Sequence, residues 1–324
     1  AGLPPPPIGA GPGAVGPGGR PAGPAPVRPL SPREGTFNPK YGLFLGVLGA
    51  SFSSIFVRWS AAPSLVTATW RLGWAVLLLL PSVLLRHREE LRAATGRDLL
   101  FCALSGLLLA FHFTAWFESL KWTSIASSTV LVSTEVIFSA LGFALFLRGT
   151  IPRPGVLAIV LAFGGSVALA LSDSGGAGAL KGDLLAVAAA VFVAAYTLIG
   201  QVQRGHQSTT VYTFLTYASC LAALLCMDLF TGTPILGWGL REAAVGLLLA
   251  VFCTLLGHSL FSWSLKWLSS AYVSAAKLCE PVFASILGFF LFREAIRPLQ
   301  ALGALIVLAG VFLYTRAETS YASA

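Results

Sequence analysis

Four charged side chains lie near the middle of long apolar stretches of this sequence and are the residues best placed to do chemistry: Arg71, Glu135, Lys277 and Glu280. A charge inside a membrane-spanning helix is costly, so such residues pair with one another, contact a ligand or line an aqueous path. Two cations and two carboxylates could bind a zwitterion or relay protons. The sequence contains no GxxxxGK[ST], HExxH or GxSxG motif, so ATP-driven pumping by this chain and familiar hydrolysis have no support.

Arg71 lies about two turns inside a predicted helix, and Trp70 and Trp74 flank it. A guanidinium group can bind a carboxylate through two parallel hydrogen bonds, which suits an anionic group on a substrate. The alternatives are that the long side chain of Arg71 reaches the membrane surface or forms a structural ion pair. We predict that Arg71 and the two tryptophans bind substrate.

Glu135 shares one helical face with several small or hydroxyl-bearing residues, since side chains three or four positions apart lie together: Ser124, Ser128, Ser139 and Gly142. Such a stripe can line a cavity or allow a close contact between helices. Burial disfavours the charged form of a carboxyl group, so proton binding and a coupling role are predicted for Glu135. The alternative is a protonated glutamate that only hydrogen-bonds a neighbouring helix.

Glu280 precedes Pro281, whose ring removes the amide hydrogen that would bond to the carbonyl group of Lys277. Lys277 also lies one turn before Glu280, so the two opposite charges could neutralise each other on one helix. We predict a coupling or gating role for Glu280 and a substrate-binding role for Lys277. The ion pair within the helix is the alternative.

Aromatic residues accompany two histidines, because Trp116 follows His112 by four positions and Trp263 follows His258 by five. These rings could form a box for a flat or cationic ligand, and ordinary packing is the alternative. We place these four residues and Tyr196 in the predicted substrate-binding set. No cofactor or metal site is predicted, because the five cysteines lack metal-ligand spacing.

The composition excludes an ordinary soluble domain, because 56% of the residues are hydrophobic and 10% are charged. A membrane-spanning helix needs about 20 mostly apolar residues. The sequence therefore predicts an all-α integral membrane protein with ten transmembrane helices. They are expected near residues 41–60, 65–85, 98–121, 124–147, 155–172, 182–202, 209–231, 243–266, 270–292 and 299–316.

Two parts of the sequence correspond when one is shifted by 145 positions. The shift places Ser119–Trp122 on Ser264–Trp267, Glu135 on Glu280 and Arg148 on Arg293. Predicted helices 3 and 4 therefore correspond to helices 8 and 9. Because an odd number of helices separates the copies, the second copy is inverted in the membrane. We predict an inverted repeat of five plus five helices, with the substrate path between the halves.

The net charge of +8 is spread over short loops, so it indicates membrane topology and no nucleic-acid partner. With the N-terminus inside, thirteen Lys and Arg residues fall in cytoplasmic segments and six on the opposite side. This predicts a multi-pass protein of the cytoplasmic (inner or plasma) membrane with both termini in the cytoplasm. We predict a disordered Pro- and Gly-rich tail at 1–40, helical repeats at 41–172 and 182–316, and a short tail at 317–324.

The chain resembles an EamA-type permease of the drug/metabolite transporter superfamily over about residues 41–316. The resemblance is carried by Trp70-Arg71, Ser119-Leu120, Ala126-Ser127-Ser128 and Glu135 in the first copy, and by Glu280-Pro281-Val282-Phe283 and Leu291-Phe292-Arg293-Glu294 in the second. The first copy departs from the second with Val136 at the position of Pro281. The resemblance implies a duplicated ten-helix layout and export of amino acids, other metabolites or drugs.

The two cations and two carboxylates suit a zwitterion, so we predict a secondary transporter of an amino acid that works by alternating access. Its predicted partners are this small-molecule substrate, the lipid bilayer and protons as a candidate coupling ion; the sequence gives no oligomeric state. An exporter of drugs or amines is the alternative within this class. Outside it, the alternatives are a membrane scaffold whose Pro-rich tail binds partners and a membrane-embedded enzyme.

Overall fold

The computed structural model describes residues 38–148, 150–171, 179–205, 207–293 and 298–322, and it places no β-strand among them. The first half of the chain forms eight helices. They are α1 (Pro39–Ser51), α2 (Ser53–Trp59), α3 (Ser64–Arg86), α4 (Arg88–Ala93), α5 (Gly96–Trp122), α6 (Ile125–Val132), α7 (Glu135–Phe146) and α8 (Arg153–Leu171).

The second half forms seven α-helices and one π-helical segment at Leu249–His258. The α-helices are α9 (Ala179–Gln203), α10 (Thr209–Thr231), α11 (Gly239–Leu248), α12 (Ser259–Ser264), α13 (Ser270–Lys277), α14 (Glu280–Phe292) and α15 (Pro298–Ala322). The π-helical segment joins α11 to α12, so these three elements form one long span.

Eight helical segments of the described chain are long and apolar enough to cross a membrane. They coincide, within a few residues, with eight of the ten predicted spans. The helices α8 and α15 stand where the fifth and tenth spans are predicted, and each contains a shorter apolar stretch. The all-α membrane fold predicted from the sequence is confirmed.

The predicted N-terminal tail at 1–40 lies outside the described residues as far as residue 37. Asn38 accepts a hydrogen bond from the backbone N–H of Lys40 at 2.9 Å and thereby caps α1. The helix therefore starts inside the predicted tail. At the other end α15 continues to Ala322, beyond the predicted boundary at 316, and residues 323–324 lie outside the described part.

The two halves repeat the same local structure at the same spacing of 145 residues. The helices α3 and α10 correspond from end to end, as do α6 and α13. Ser124 caps α6 and Ser269 caps α13, each accepting a hydrogen bond from a backbone N–H at 3.0 Å. Arg148 and Arg293 both adopt a positive φ, of 50° and 57°. The correspondence between the two halves therefore includes the backbone conformation as well as the residue types.

The predicted spans at 124–147 and 270–292 are present as membrane-spanning segments, and each contains a two-residue break near its middle. The breaks separate α6 from α7 and α13 from α14, where backbone N–H groups bond three residues back, as in Thr134 N to Leu131 O and Cys279 N to Ala276 O, at 3.1 and 3.2 Å. Pro281 lies in the first turn of α14, where its missing N–H is tolerated. The corresponding span of the first half is interrupted in the same way, although it has Val136 at the position of Pro281.

For orientation, we call the membrane face at which α1 begins the first face. Successive spans alternate in direction, so the same face carries α4 and the loop between α9 and α10. The opposite, second face carries the loops after α2 and α5. Between them, α3, α5, α10 and the π-helical segment pack around one buried apolar cluster, and α1, α7 and α13 pack around another.

Candidate functional site

A cavity of about 40 Å³ lies between the two halves of the fold. All four of the charged residues singled out in the sequence border it, together with two histidines and a tryptophan. These lining residues are Arg71, His112, Trp116, Glu135, His258, Lys277 and Glu280. A typical pocket for an organic ligand measures roughly 300–1,000 Å³. The cavity must therefore widen to admit a substrate, which requires the helices around it to move.

The broken helices place both carboxylates at the cavity. Glu135 is the first residue of α7, and Glu280 is the first residue of α14. The backbone of each break is hydrogen-bonded within itself, as Val136 N bonds to Ser133 O and Val282 N to Cys279 O, at 3.2 and 3.1 Å. Each break thus begins a new helix with a carboxylate that borders the cavity.

Lys277 forms an ion pair with Glu135 across the two halves. Its Nζ donates to both carboxylate oxygens, at 2.8 and 3.0 Å, and both side chains are buried. The alternative considered from the sequence, a pair between Lys277 and Glu280 on one helix, is not formed. Contact between α7 and α13 brings the Lys277 ammonium group to Glu135 instead.

The Glu135 stripe predicted from the sequence serves mainly as a contact between helices. Ser139 accepts a hydrogen bond from the Ser274 hydroxyl at 2.9 Å. Gly142 lies against the side chain of Leu198, which leaves no space for a β-carbon. Small residues therefore let the helices approach closely, and Glu135 is the member of the stripe that borders the cavity.

Arg71 is completely buried, so it does not reach the membrane surface. Its Nε donates to Thr254 at 2.7 Å, its Nη1 donates to Ser53 at 3.1 Å, and its guanidinium carbon lies 4.1 Å from the centre of the Phe113 ring. Its Nη2 has no hydrogen-bond partner among the described residues. Neutral groups therefore hold the cation, and one face of the guanidinium group is left for an anion.

Glu280 differs from Glu135 in its partners. Its Oε1 atom is buried and has no hydrogen-bond partner within the described part of the chain. A buried polar atom without a partner is costly. The cavity thus contains one neutralised pair, and in addition one cation and one carboxylate that each retain an unsatisfied atom.

The aromatic wall of the cavity is built around the two histidines. The His112 ring stacks on Trp116 at 5.9 Å between centroids and lies 6.3 Å from His258. The Nδ1 of His112 lies 2.9 Å from the carbonyl oxygen of Ala189, so this nitrogen carries the proton. Trp116 Nε1 and His258 Nδ1 have no partner among the described residues. The wall therefore offers ring faces and polar atoms together.

Three predicted binding tryptophans lie away from the cavity lining. The indole N–H groups of Trp70 and Trp74 donate to the carbonyl oxygens of Ile235 and Ala243, at 3.3 and 3.0 Å. Both rings therefore face the loop before α11 and α11 itself.

Trp263 packs on Gly42 and lies 4.5 Å from the Trp267 ring. Tyr196 lies behind the wall, 6.0 Å from the His258 ring, and its hydroxyl pairs with Ser262 at 3.0 Å. These positions follow from helix rotation, which spacing along the sequence leaves open.

Two further lining residues could have been found from the repeat. Phe261 and Val132 border the cavity, and the shift of 145 positions pairs them with Trp116 and Lys277. The hydroxyl and phenyl groups that hold Arg71 carry no comparable signal, because serine, threonine and phenylalanine are common throughout the spans.

Hydrogen bonds tie the two halves together at both membrane faces. On the second face, Glu242 accepts from the Ser60 hydroxyl at 2.6 Å and from Ala61 N at 3.0 Å. On the first face, Ser208 N donates to Glu90 at 2.6 Å. Burial alone raises the pKa of Glu90, but its hydrogen bonds outweigh this effect and leave the pKa below its ordinary value. These contacts must break for the halves to separate at either face.

The model of the EamA-like transporter family matches residues 41–171 and 180–316, which is more than half of the chain. An uncharacterized transporter of Clostridium kluyveri is 25% identical over 242 residues, covering 72% of this chain and 78% of the relative. The uncharacterized transporter YyaM of Bacillus subtilis is 26% identical over 261 residues, covering 76% and 82%.

One crystal structure of a protein is similar in fold, with a TM-score of 0.68 and 17% sequence identity. The match covers 86% of this chain and 96% of that chain. At this identity the likeness extends to the fold alone, and it agrees with the arrangement of helices described above.

Proposed function

This chain belongs to the EamA-like transporter family and is a membrane transporter, and on that premise we propose that it carries a small zwitterionic metabolite. An amino acid is the first candidate. Transport is secondary and follows alternating access, in which the cavity between the halves opens to one membrane face at a time.

The observation that carries this proposal is the buried and incompletely satisfied Arg71. Its Nη2 N–H groups lack a partner in the described part of the chain, while its other nitrogens are held by neutral hydroxyl groups. A substrate carboxylate would complete the hydrogen bonding of the guanidinium group and neutralise its charge in one step. Among the described residues that border the cavity, no other cation lacks an acidic partner, because Lys277 is already paired.

Glu135 is proposed as the coupling residue. Its ion pair with Lys277 joins the two halves, so protonation of this carboxylate weakens a contact that opposes their separation. A proton entering from one side could thereby bias the change between the two access states. Glu280 belongs to the same proposed gating set because it borders the same cavity.

The direction and membrane orientation are also proposals. The excess of Lys and Arg on the first face favours placing that face in the cytoplasm, with both termini there and the protein in the cytoplasmic membrane. Outward movement of the metabolite rests on the family resemblance.

The test is counterflow exchange in proteoliposomes, with a panel of L-amino acids run against a panel of amine drugs at pH 6 and pH 8. We expect saturable exchange of one or more amino acids, with loss of exchange in Arg71→Ala protein that remains folded. Gly73→Ala is the matched control, because this position lies two residues away on α3 with no neighbouring atom within 4 Å.

Glu135→Gln should weaken the difference in exchange between the two pH values. Retained amino-acid exchange in Arg71→Ala protein would refute the assignment of Arg71. Exchange of amines without any amino acid would replace the zwitterion proposal with the amine alternative. No exchange of either panel by folded native protein would refute both.

A further inference from the structure

The two carboxylates of the cavity occupy equivalent places in the repeat, but the residues opposite them differ. Glu135 and Glu280 are related by the shift of 145 positions, and each starts the second half of a broken span. The same shift relates Val132 to Lys277, and each of these ends the first half of its span. The repeat therefore places a lysine in one half at the position where the other half has a valine.

The helices that hold these residues also pack in equivalent pairs. The helix α7 contacts α13, and α6 contacts α14. Exchanging the two halves converts the contact between Glu135 and Lys277 into one between Glu280 and Val132. Both residues of this second pair border the cavity. The repeat thus contains two corresponding carboxylate positions: Glu135 is paired with the Lys277 ammonium group, and Val132 occupies the position that corresponds to Lys277 in the other half.

This difference accounts for the unsatisfied Oε1 atom of Glu280. Glu135 shares the Lys277 ammonium group between its two oxygens, at 2.8 and 3.0 Å. Valine has no hydrogen-bond donor on its side chain, so Val132 cannot play the corresponding part for Glu280. The space beside Val132 is continuous with a cavity of about 40 Å³. A water-sized group needs roughly 10–15 Å³ of such space, so an ammonium group fits.

We propose that Glu280 binds the primary ammonium group of the substrate, in the place beside Val132 that corresponds to the Lys277 ammonium group beside Glu135. This inference rests on the proposed function and assigns Glu280 to substrate recognition in addition to gating. The substrate class is a molecule with an unsubstituted primary ammonium group. An N-acetylated or deaminated analogue lacks the charge and the three donors that would satisfy the carboxylate.

The sharpest test restores the missing lysine. Val132→Lys should place an ammonium group on Glu280 and so occupy the site from within the protein. We expect the preference for an L-amino acid over its deaminated carboxylic acid, measured as competition in counterflow, to fall about 10- to 100-fold, the range for a hydrogen bond to a charged group. Val132→Met is the steric comparison, because its unbranched side chain of similar length fills the same space without the charge, and Val132→Lys should lower the preference further than Val132→Met does.

A second arm uses the carboxylate itself and a readout that is independent of transport. Glu280→Gln should reduce the same preference, because an amide forms no ion pair with the substrate. In detergent, Val132→Lys should have a higher Tm than the double variant Val132→Lys/Glu280→Gln, since only the former contains the new ion pair. If Val132→Lys does not fold, the Glu280→Gln comparison still decides between the outcomes.

Native and variant proteins distinguish failure of the proposed function from failure of the ammonium site. If folded native protein exchanges no amino acid, the proposed function is refuted and this inference falls with it. If native protein exchanges an amino acid, equal preferences in Val132→Lys and Val132→Met, or an unchanged preference in Glu280→Gln, would refute the ammonium site alone. Loss of preference in both Val132→Lys and Glu280→Gln, with a smaller loss in Val132→Met than in Val132→Lys, would support it.

Discussion

Removal of the Lys277 ammonium group should destabilise the protein in a manner that depends on pH. Lys277→Met keeps most of the aliphatic side chain and leaves Glu135 without its partner. Both side chains of the pair are less than a tenth exposed, at 9% and 6%. The pair therefore belongs with buried ion pairs, for which loss of one partner costs about 3–5 kcal/mol, and not with surface pairs.

The size of the effect is limited by protonation of the carboxyl group that remains. Lowering the pH makes it easier for the unpaired carboxyl group to take up a proton and so lose its buried charge. The destabilisation by Lys277→Met should therefore fall on acidification. Glu135→Gln leaves the lysine unpaired instead, and raising the pH makes it easier for the unpaired ammonium group to lose its proton and its buried charge. Its effect should fall on alkalinisation.

Equilibrium unfolding in mixed detergent micelles at pH 5, 7 and 9 measures these changes. The double variant Glu135→Gln/Lys277→Met is the control, because it contains neither charge and should vary least with pH. Coupling in the double-mutant cycle of at least about 1 kcal/mol is expected at pH 7 for residues in direct contact. Equal destabilisation by Lys277→Met at pH 5 and pH 7 would refute the buried ion pair as its cause.

Three further outcomes test the packing and the contacts between the halves. Gly106→Ala should lower the free energy of unfolding by about 1–3 kcal/mol, because a β-carbon there would lie 2.5 Å from a backbone oxygen of α10. Gly73→Ala meets no atom within 4 Å and should raise the free energy of unfolding by about 0.5–1 kcal/mol. Thermal unfolding distinguishes the two variants. Ser124→Ala and Ser269→Ala should each cost about 1 kcal/mol in the same assay, as equivalent helix caps. The pKa of Glu90 is lowered in the folded protein. The native protein should therefore be more stable than Glu90→Gln protein above about pH 4.3 and should lose this advantage as the pH falls further. An advantage that persists in strong acid would contradict a stabilising role of the ionised Glu90 carboxylate.

The fold could be predicted from the sequence because its two main signals each extend over many residues. Apolar stretches of membrane-spanning length located the helices, and repetition of Glu135 in Glu280 and of Arg148 in Arg293 identified the duplication. The same repetition placed Glu135 and Glu280 at corresponding positions of the two halves. The backbone agrees, down to the positive φ of both arginines.

The breaks inside two spans could not be predicted from the same signals. Residues 133–134 are Ser-Thr and residues 278–279 are Leu-Cys, all of which also occur inside helices elsewhere in the chain, and no glycine or proline lies at either break. Pro281 drew attention to one span, but Val136 at the equivalent position shows that proline is not required. Hydrophobic periodicity measures which face of a helix is apolar, and it changes little when a helix is interrupted for two residues.

The pairing of charges and the position of the tryptophans depend on tertiary packing. Spacing along one helix favours Lys277 with Glu280, whereas contact between α7 and α13 brings Lys277 to Glu135. Trp74 is one turn from Arg71, but it faces α11 while the guanidinium group faces the cavity. A rotation of a third of a turn exchanges such assignments, and sequence patterns do not fix rotation that closely.

The charge balance of the cavity predicts how its selectivity can be reversed. When both carboxyl groups are ionised, the two positive charges of Arg71 and Lys277 balance the two negative charges of Glu135 and Glu280, so a bound amino acid leaves the sum at zero and a bound amine raises it to +1. An uncompensated charge at membrane depth costs several kcal/mol, which favours the zwitterion.

Arg71→Gln removes one positive charge, so the amine complex becomes neutral and the zwitterion complex becomes negative. Competition in counterflow between L-phenylalanine and phenethylamine, which differ by the carboxylate, should therefore shift towards the amine in Arg71→Gln protein, with Gly73→Ala as the control. An unchanged ratio would show that Arg71 does not meet the substrate carboxylate.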